Sequence, residues 1–464
     1  MILPIFFLLS AWTTEVVTTG PAQDDVLLAI DSFGKPYIVV TEFPFLLLFY
    51  KNNGAWIADT FEVNECFGEA NGTRDLAIGR DNQIWCIYTG YNSSIETYYQ
   101  IVAHKDSLAW RKDTVEFYGP STVSPFTHAS IVTDYFGNPH ITYTDSVSYS
   151  WAWLGGYYAY LNHGIWEKTL VDSFIYFTYG GAIDLDSNNN PHISYFRGVE
   201  GINEHLWHAQ KYLTFWYREE VEHRNYYADL AVTSIKLGQN NLPQIAYTDA
   251  SIDTCWVKFA WYDGTLWHIE TVATEASIGT QKALDIDSSS KPYILHFDIE
   301  YPTGAISYKD TGVWHKVSLP SLDPPLTFGF PGSLRIGRDG TIHVTRLATN
   351  DDYTYREIHY IYGTIVGIEE GERLKAEGGR LELDVLPSVV RDNARIQFTI
   401  PEKQSINLKL YDIIGREVLV ITGRLVNAGN HSYSLNTSNL SSGIYFLVLE
   451  GEKESKIEKF LIVR

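Results

Sequence analysis

Apolar and polar residues alternate in short runs through most of the chain, and Gly, Pro, Asn and Ser punctuate the runs. A period of two broken by turn residues predicts short, half-buried strands. One phrase returns: an apolar-x-apolar strand end, an Asp, a short turn, Pro, then an aromatic-rich strand. Full copies run from Ile30-Asp31 to Pro36, Thr133-Asp134 to Pro139, Leu185-Asp186 to Pro191 and Ile286-Asp287 to Pro292. Three copies keep the length with Gly in place of Asp: Ile78-Gly79 to Ile84, Leu237-Gly238 to Pro243 and Ile336-Gly337 to Ile342. The anchors at 31, 79, 134, 186, 238, 287 and 337 make seven repeats of roughly 50 residues.

Each repeat predicts four strands. Strand a ends at the anchor, and strand b opens with Pro, where a missing N–H does least harm. Strand c follows a variable loop, and strand d begins with Trp56, Trp110, Trp166, Trp216, Trp267 or Trp314. Four short strands per unit is the arithmetic of a β-propeller blade. The seventh repeat has no Trp strand after Gly363, whereas Trp12-Thr-Thr-Glu-Val-Val17 resembles Trp267-His-Ile-Glu-Thr-Val272. The N-terminal strand is therefore expected to complete the last blade and leave no open edge. The predicted fold is all-β: a seven-bladed propeller over 12–363, a linker over 364–380 and a β-sandwich over 381–464.

Composition narrows the class. There are 32 Tyr, 22 Phe and 13 Trp but one Met, a usage that suits strands. Lys+Arg is 35 against Asp+Glu 56, a net charge of −21, which opposes nucleic acid and anionic lipid as partners. No apolar run approaches the roughly 20 residues of a membrane helix. Three Cys make neither a disulfide framework nor zinc spacing; Cys66 and Cys86 leave one pairing open. Residues 1–11, with the apolar run Ile2 to Leu9 and then Ser10-Ala11, are expected to act as a signal peptide.

Residues 381–464 carry a second set of motifs. They are Ile396-Gln-Phe-Thr-Ile-Pro401, Leu408-Lys-Leu-Tyr-Asp412 with Gly415-Arg416-Glu417-Val418, Ala428-Gly429-Asn-His431, Leu440-Ser-Ser-Gly443-Ile-Tyr-Phe446 and Lys459-Phe-Leu-Ile-Val-Arg464. In this order they resemble the type A C-terminal sorting domain of the type IX secretion system. The segment departs from the family at its start, where Leu386-Pro387-Ser388 replaces the usual Asn-Pro. The resemblance implies an immunoglobulin-like fold and an address. The chain is expected to pass the periplasm, engage the type IX machinery through 381–464, and end at the outer cell surface or in the medium. Acids and bases cancel there, ten against ten, so the repeats hold nearly all of the negative charge.

Breaks in the repeat are the clue to chemistry. The column nine after each anchor reads Val40, Tyr88, Tyr143, Tyr195, Tyr247, His296 and Arg346. His296, with Asp298 two residues on, and Arg346 are thus candidate ligand residues, as is Arg197 at another strand-b end. Trp151 and Trp153 crowd the third repeat's b–c loop and suit stacking on sugar rings. The column two before the anchor is expected to line the central channel, and there Asp184, Lys236, Asp285 and Arg335 alternate in sign. A solvated ladder of ion pairs and an ion or substrate site both fit that pattern. No metal or cofactor is expected. His140, His192 and His343 occupy one repeat column, so they cannot meet at one ion. Asp186 to Asn190 lacks the Gly and Glu of a calcium loop.

Three functional classes follow. A secreted or surface-held binding protein for a polysaccharide or protein ligand, expected as a monomer, fits first. A glycosidase or polysaccharide lyase on the same scaffold is the alternative, and a purely structural surface protein is the third.

Overall fold

The computed structural model describes residues 12–463 apart from 21–22, 43–44, 64–73, 93, 95–96, 106–108, 118–128, 147–153, 175–180, 200–202, 224–231, 251–254, 281, 299–302, 324–325, 351, 353, 366–381, 387–388, 392, 401–403, 413–415, 427–428, 438–439 and 452–454. The described residues form strands and turns without a helix. They divide into two compact units, residues 1–366 and 367–464.

The first unit is propeller-like. Seven antiparallel sheets follow one another along the chain, six of four strands and one of five. The first, for example, comprises Gln23–Ile30, Pro36–Glu42, Phe45–Asn52 and Ala55–Val63. The seventh comprises Phe328–Ile336, Ile342–Thr349 and Arg356–Gly363, and its outer strand is Thr13–Thr19, which pairs antiparallel with Arg356–Gly363. Each sheet's first strand packs beside that of the next, and Phe328–Ile336 packs back against Gln23–Ile30. The sixth sheet departs from the repeat. Its first strand is split into Ala276–Ser277 and Leu284–Ile286, both pairing with Pro292–Asp298.

The recurring phrase builds one turn. In the full copies the anchor Asp accepts backbone N–H bonds from two and four residues on, as Asp31 does from Phe33 and Lys35, both at 2.9 Å. The third residue after every anchor is left-handed: Gly34, Asn82, Gly137, Asn189, Asn241, Ser290 and Gly340, with φ from 61° to 87°. Gly and Asn adopt that conformation at low cost. The Gly-anchored copies move the capping acceptor two residues on. Asp81, Asn240 and Asp339 accept from Gln83, Leu242 and Thr341. A Cβ at Gly79, Gly238 or Gly337 would lie 2.5–2.8 Å from that acceptor's Oδ1. The substitution at the anchor is therefore a paired exchange rather than decay of the motif.

A second device joins neighbouring sheets. The Trp that opens strand d donates from Nε1 to the residue three after the Trp of the preceding sheet. Trp56 donates to Glu15 at 3.1 Å, Trp110 to Asp59 at 3.2 Å, Trp166 to Asp113 at 3.4 Å, Trp216 to Thr169 at 3.3 Å and Trp314 to Glu270 at 2.7 Å. Lys51, Lys105 and Lys309 pair with three of the same carboxylates. The first bond crosses from sheet 1 to the N-terminal strand.

The second unit holds a three-stranded and a five-stranded sheet. Ile396 and Leu435 of one and Leu408, Leu447 and Ile462 of the other share one core, which makes it a sandwich. Val389–Val390 runs parallel to the end of the last strand.

Candidate functional site

In this meander the b–c and d–a loops emerge at one end of the sheets, and the anchor turns at the other. The first is called the loop face. His296 and Arg346 do not reach it. Both are fully buried. His296 Nε2 lies 2.8 Å from Ser307 Oγ. Arg346 donates to the carbonyls of Pro320 at 2.7 Å and Thr303 at 3.2 Å, and its Nη2 lies 3.0 Å from His359 Nδ1. Burial pushes the Arg346 guanidinium down to about 10. Arg346 thus ties sheet 7 to the loops of sheet 6, while the His296 bond stays within sheet 6. The five residues that share their column are buried as well. Asp298 ends its strand. Trp151, Trp153 and Cys66 lie outside the described residues, as do the expected signal peptide and positions 366–380 of the linker.

Of the four residues expected to line the channel, Asp184, Lys236 and Asp285 link successive sheets. Asp184 Oδ2 accepts the Leu237 N–H at 2.9 Å. Lys236 Nζ is 3.8 Å from Asp285 Oδ1, and Asp285 Oδ2 accepts the Ile336 N–H at 2.8 Å. Arg335 donates to the Leu334 carbonyl at 2.6 Å.

An ion pair absent from the sequence reading spans the ring at the loop end. Lys282 Nζ, from sheet 6, is 2.8 Å from Asp75 Oδ2 of sheet 2 and 2.9 Å from the Ile131 carbonyl of sheet 3. Ser130 Oγ and the Ile131 N–H donate to the same carboxylate. Burial pushes the Lys282 ammonium down to about 8, against the pull of Asp75. A signal was present. Asp75 is the single charged residue in the column four before the anchors, with Leu27, Ser130, Ala182, Ser234, Ala283 and Ser333. Lys282 and Arg74 are the charged members of the column beside it.

The partly open polar cluster lies off the axis, between sheets 3 and 4. Asp172, near the end of Ile165–Phe174, is buried. It accepts from Tyr195 Oη at 2.9 Å and Arg218 Nη1 at 3.0 Å, and Arg197 Nη1 stands 3.4 Å away. The Arg197 guanidinium rests over the Trp207 ring at 5.1 Å from its centre. Burial, with the adjacent Asp172 carboxylate, holds the Tyr195 phenol protonated, well above its usual range. Arg197 and Arg218 keep 30% and 44% of their side-chain surface in solvent, against 3% for Asp172. Strand pairing sets Arg197 opposite His205 and Tyr195 opposite Trp207, on one face of sheet 4. The cluster carries two fixed positive charges and one negative, in a chain of net charge −21.

Residues 385–463 match the family described as the secretion system C-terminal sorting domain. The chain carries a type IX sorting domain. The protein therefore leaves the cell by the type IX route, for the cell surface or beyond. Among curated proteins none matches the chain. Solved structures show distant likeness. The polysaccharide lyase Uly1 is 11% identical with a TM-score of 0.49, covering 74% of this chain and 90% of that one. PorZ, a bacterial surface component of the type-IX secretion system of Porphyromonas gingivalis, is 10% identical with a TM-score of 0.37, covering 96% and 70%. A GH93 α-L-arabinofuranosidase of Fusarium graminearum is 10% identical with a TM-score of 0.41, covering 72% and 91%. No helix among the described residues is long and apolar enough to cross a membrane.

Proposed function

We propose that this exported protein binds an acidic polysaccharide on the loop face over sheets 3 and 4. The observation that carries the reading is the pair Arg197 and Arg218 around one buried carboxylate. One guanidinium is neutralised by Asp172, and the surplus charge faces solvent. A uronate or sulfate group offers the planar or multidentate oxygens that guanidinium binds best. Trp207 fixes Arg197 from below by cation–π contact. In the sequence, Trp151 and Trp153 fall between Pro139–Ser146 and Leu154–Asn162, and indole rings suit the apolar faces of sugars. The Lys282–Asp75 bridge spans the channel mouth, which favours an off-axis site.

The test is calorimetry of the full chain with polygalacturonate, alginate, chondroitin sulfate and a neutral glucan. Binding of an acidic polymer and not the glucan is expected. Arg197→Ala should weaken it at least about tenfold, the loss of one charge-assisted contact. Equal binding of the glucan, or a variant indistinguishable from the parent, would sink the reading. Unsaturated uronate ends accumulating during the titration would instead make the protein a lyase. No binding of any polymer would move the weight to a protein ligand or a structural role.

A further inference from the structure

We propose that His205, Glu220 and His223 form a site for a divalent transition metal of the zinc type, at the loop end of sheet 4. This goes beyond the polysaccharide reading and rests on different residues.

The hairpin of Asn203–Tyr212 and Phe215–Glu222 builds it. The pairing skips one residue where Leu206 faces Glu222 and Trp207 faces Glu220. Such a bulge bends the strand and re-aims its side chains. Glu220 therefore shares a face with Trp207 and, two residues earlier, His205. His223 follows immediately after the strand.

The donor atoms converge. His205 Nδ1 is 3.4 Å from Glu220 Oε1, and His223 Nδ1 is 2.9 Å from the same oxygen. The two imidazoles meet edge to face with centres 4.1 Å apart. All three ligand atoms lie within 4.8 Å of one another. Tetrahedral zinc with bonds of about 2.0–2.1 Å separates its ligand atoms by about 3.3 Å. The His205–Glu220 edge already has that length. The shorter edge opens by a small rotation of His223, whose side chain is 62% exposed.

A second observation points to a missing partner. His205 is buried, and its Nδ1 has no hydrogen-bond partner. Glu220 stands close but misaligned. A buried imidazole nitrogen left unpaired is costly, and an ion between the three groups would satisfy it. Two imidazoles and one carboxylate make a borderline donor set, suited to zinc rather than calcium or magnesium, which take all-oxygen shells. Three protein ligands leave a fourth position open to water or an external anion.

The chain, stripped with a chelator, is titrated with Zn2+ by calorimetry and with Co2+ by visible absorption. One equivalent of each is expected, with tetrahedral ligand-field bands for Co2+. His223 is exposed, so His223→Gln should leave the metal-free melting temperature unchanged. It should weaken Zn2+ by at least about tenfold, since even loss of an outer-shell partner costs roughly 10–100-fold. Glu220→Gln should also weaken it and shift the Co2+ spectrum. Failure to bind an equivalent, or Zn2+ binding by His223→Gln at parental affinity, would overturn the proposal. Polysaccharide binding measured on the same variant separates this site from Arg197 and Arg218.

Discussion

His140, His192 and His343 stand at one position of three repeats, each one residue into its second strand, and each meets a partner two residues along on the third. His140 Nδ1 lies 2.6 Å from Tyr158 Oη and His343 Nδ1 2.6 Å from Tyr360 Oη, while His192 Nδ1 lies 3.0 Å from His208 Nε2. Burial holds all three in the neutral form. It lowers His140 to about 4 and His192 to about 3, and it lowers His343 in the same direction. A histidine near 6.5 in the unfolded chain binds protons before these do. The stability they contribute is therefore present above about pH 6.5 and lost as pH falls toward the folded values. The unfolding free energy from denaturant titrations should drop between pH 7.5 and 5, by up to about 1.4 kcal/mol per pH unit for each fully shifted histidine, and the midpoint with it. His192→Gln should flatten the slope. A midpoint independent of pH over that window would contradict this account. The column was legible in the sequence, and its reading as a repeat feature follows from the pairings. The partners were not legible, because they lie on a strand reached through a variable loop.

At the scale of the strand, the Trp–carboxylate ladder explains which repeats tie firmly to their neighbours and which do not. Trp12 Nε1 is buried without a partner. The residue three after the preceding Trp is Val317 there, and Val317 packs with Trp12 on one apolar cluster. Trp267 Nε1 is likewise without a partner; its equivalent acceptor, Glu219, is engaged by His208 at 3.1 Å. Thr169 serves Trp216 in this role. Val317→Thr should therefore satisfy Trp12 and raise stability by about 1 kcal/mol, the cost of an unmade buried bond. Urea unfolding checks it, and a lower midpoint would count against the ladder. The Trp column was read from the sequence as a strand start. The acceptors escaped because each lies in the previous repeat, about 40–50 residues away, and alternates among Glu, Asp and Thr.

Across the whole molecule, Lys282 and Asp75 join sheets 2, 3 and 6 over the centre of the ring. A buried ammonium and carboxylate tolerate each other but not isolation. Lys282→Met should cost about 3 kcal/mol, because it leaves Asp75 buried and charged, and adding Asp75→Ala should restore much of it. Chemical denaturation of the single and double variants measures this. Equal loss in both, or no loss in the single variant, would show that the bridge does not stabilise the ring. The same bridge bears on the proposed function, since it crosses the ring at the loop end, whereas Arg197 and Arg218 keep part of their side-chain surface in solvent.

The sequence alone determined the all-β class, the repeat and its turns, the closing role of the N-terminal strand and the sorting tail. Each is written in local patterns: a period of two, a left-handed turn position, and motifs within about 80 residues. The candidate site was decided by tertiary structure. His296 and Arg346 broke their column conspicuously, yet packing between sheets encloses them, because that column faces the neighbouring sheet. Arg197 is enclosed less and meets Arg218 only through Asp172, a residue of another repeat. Asp75 and Lys282 lie 207 positions apart, and closure of the ring brings them together. The loop-face chemistry is thus non-local: it depends on which sheets become neighbours, and no window of the sequence contains that information.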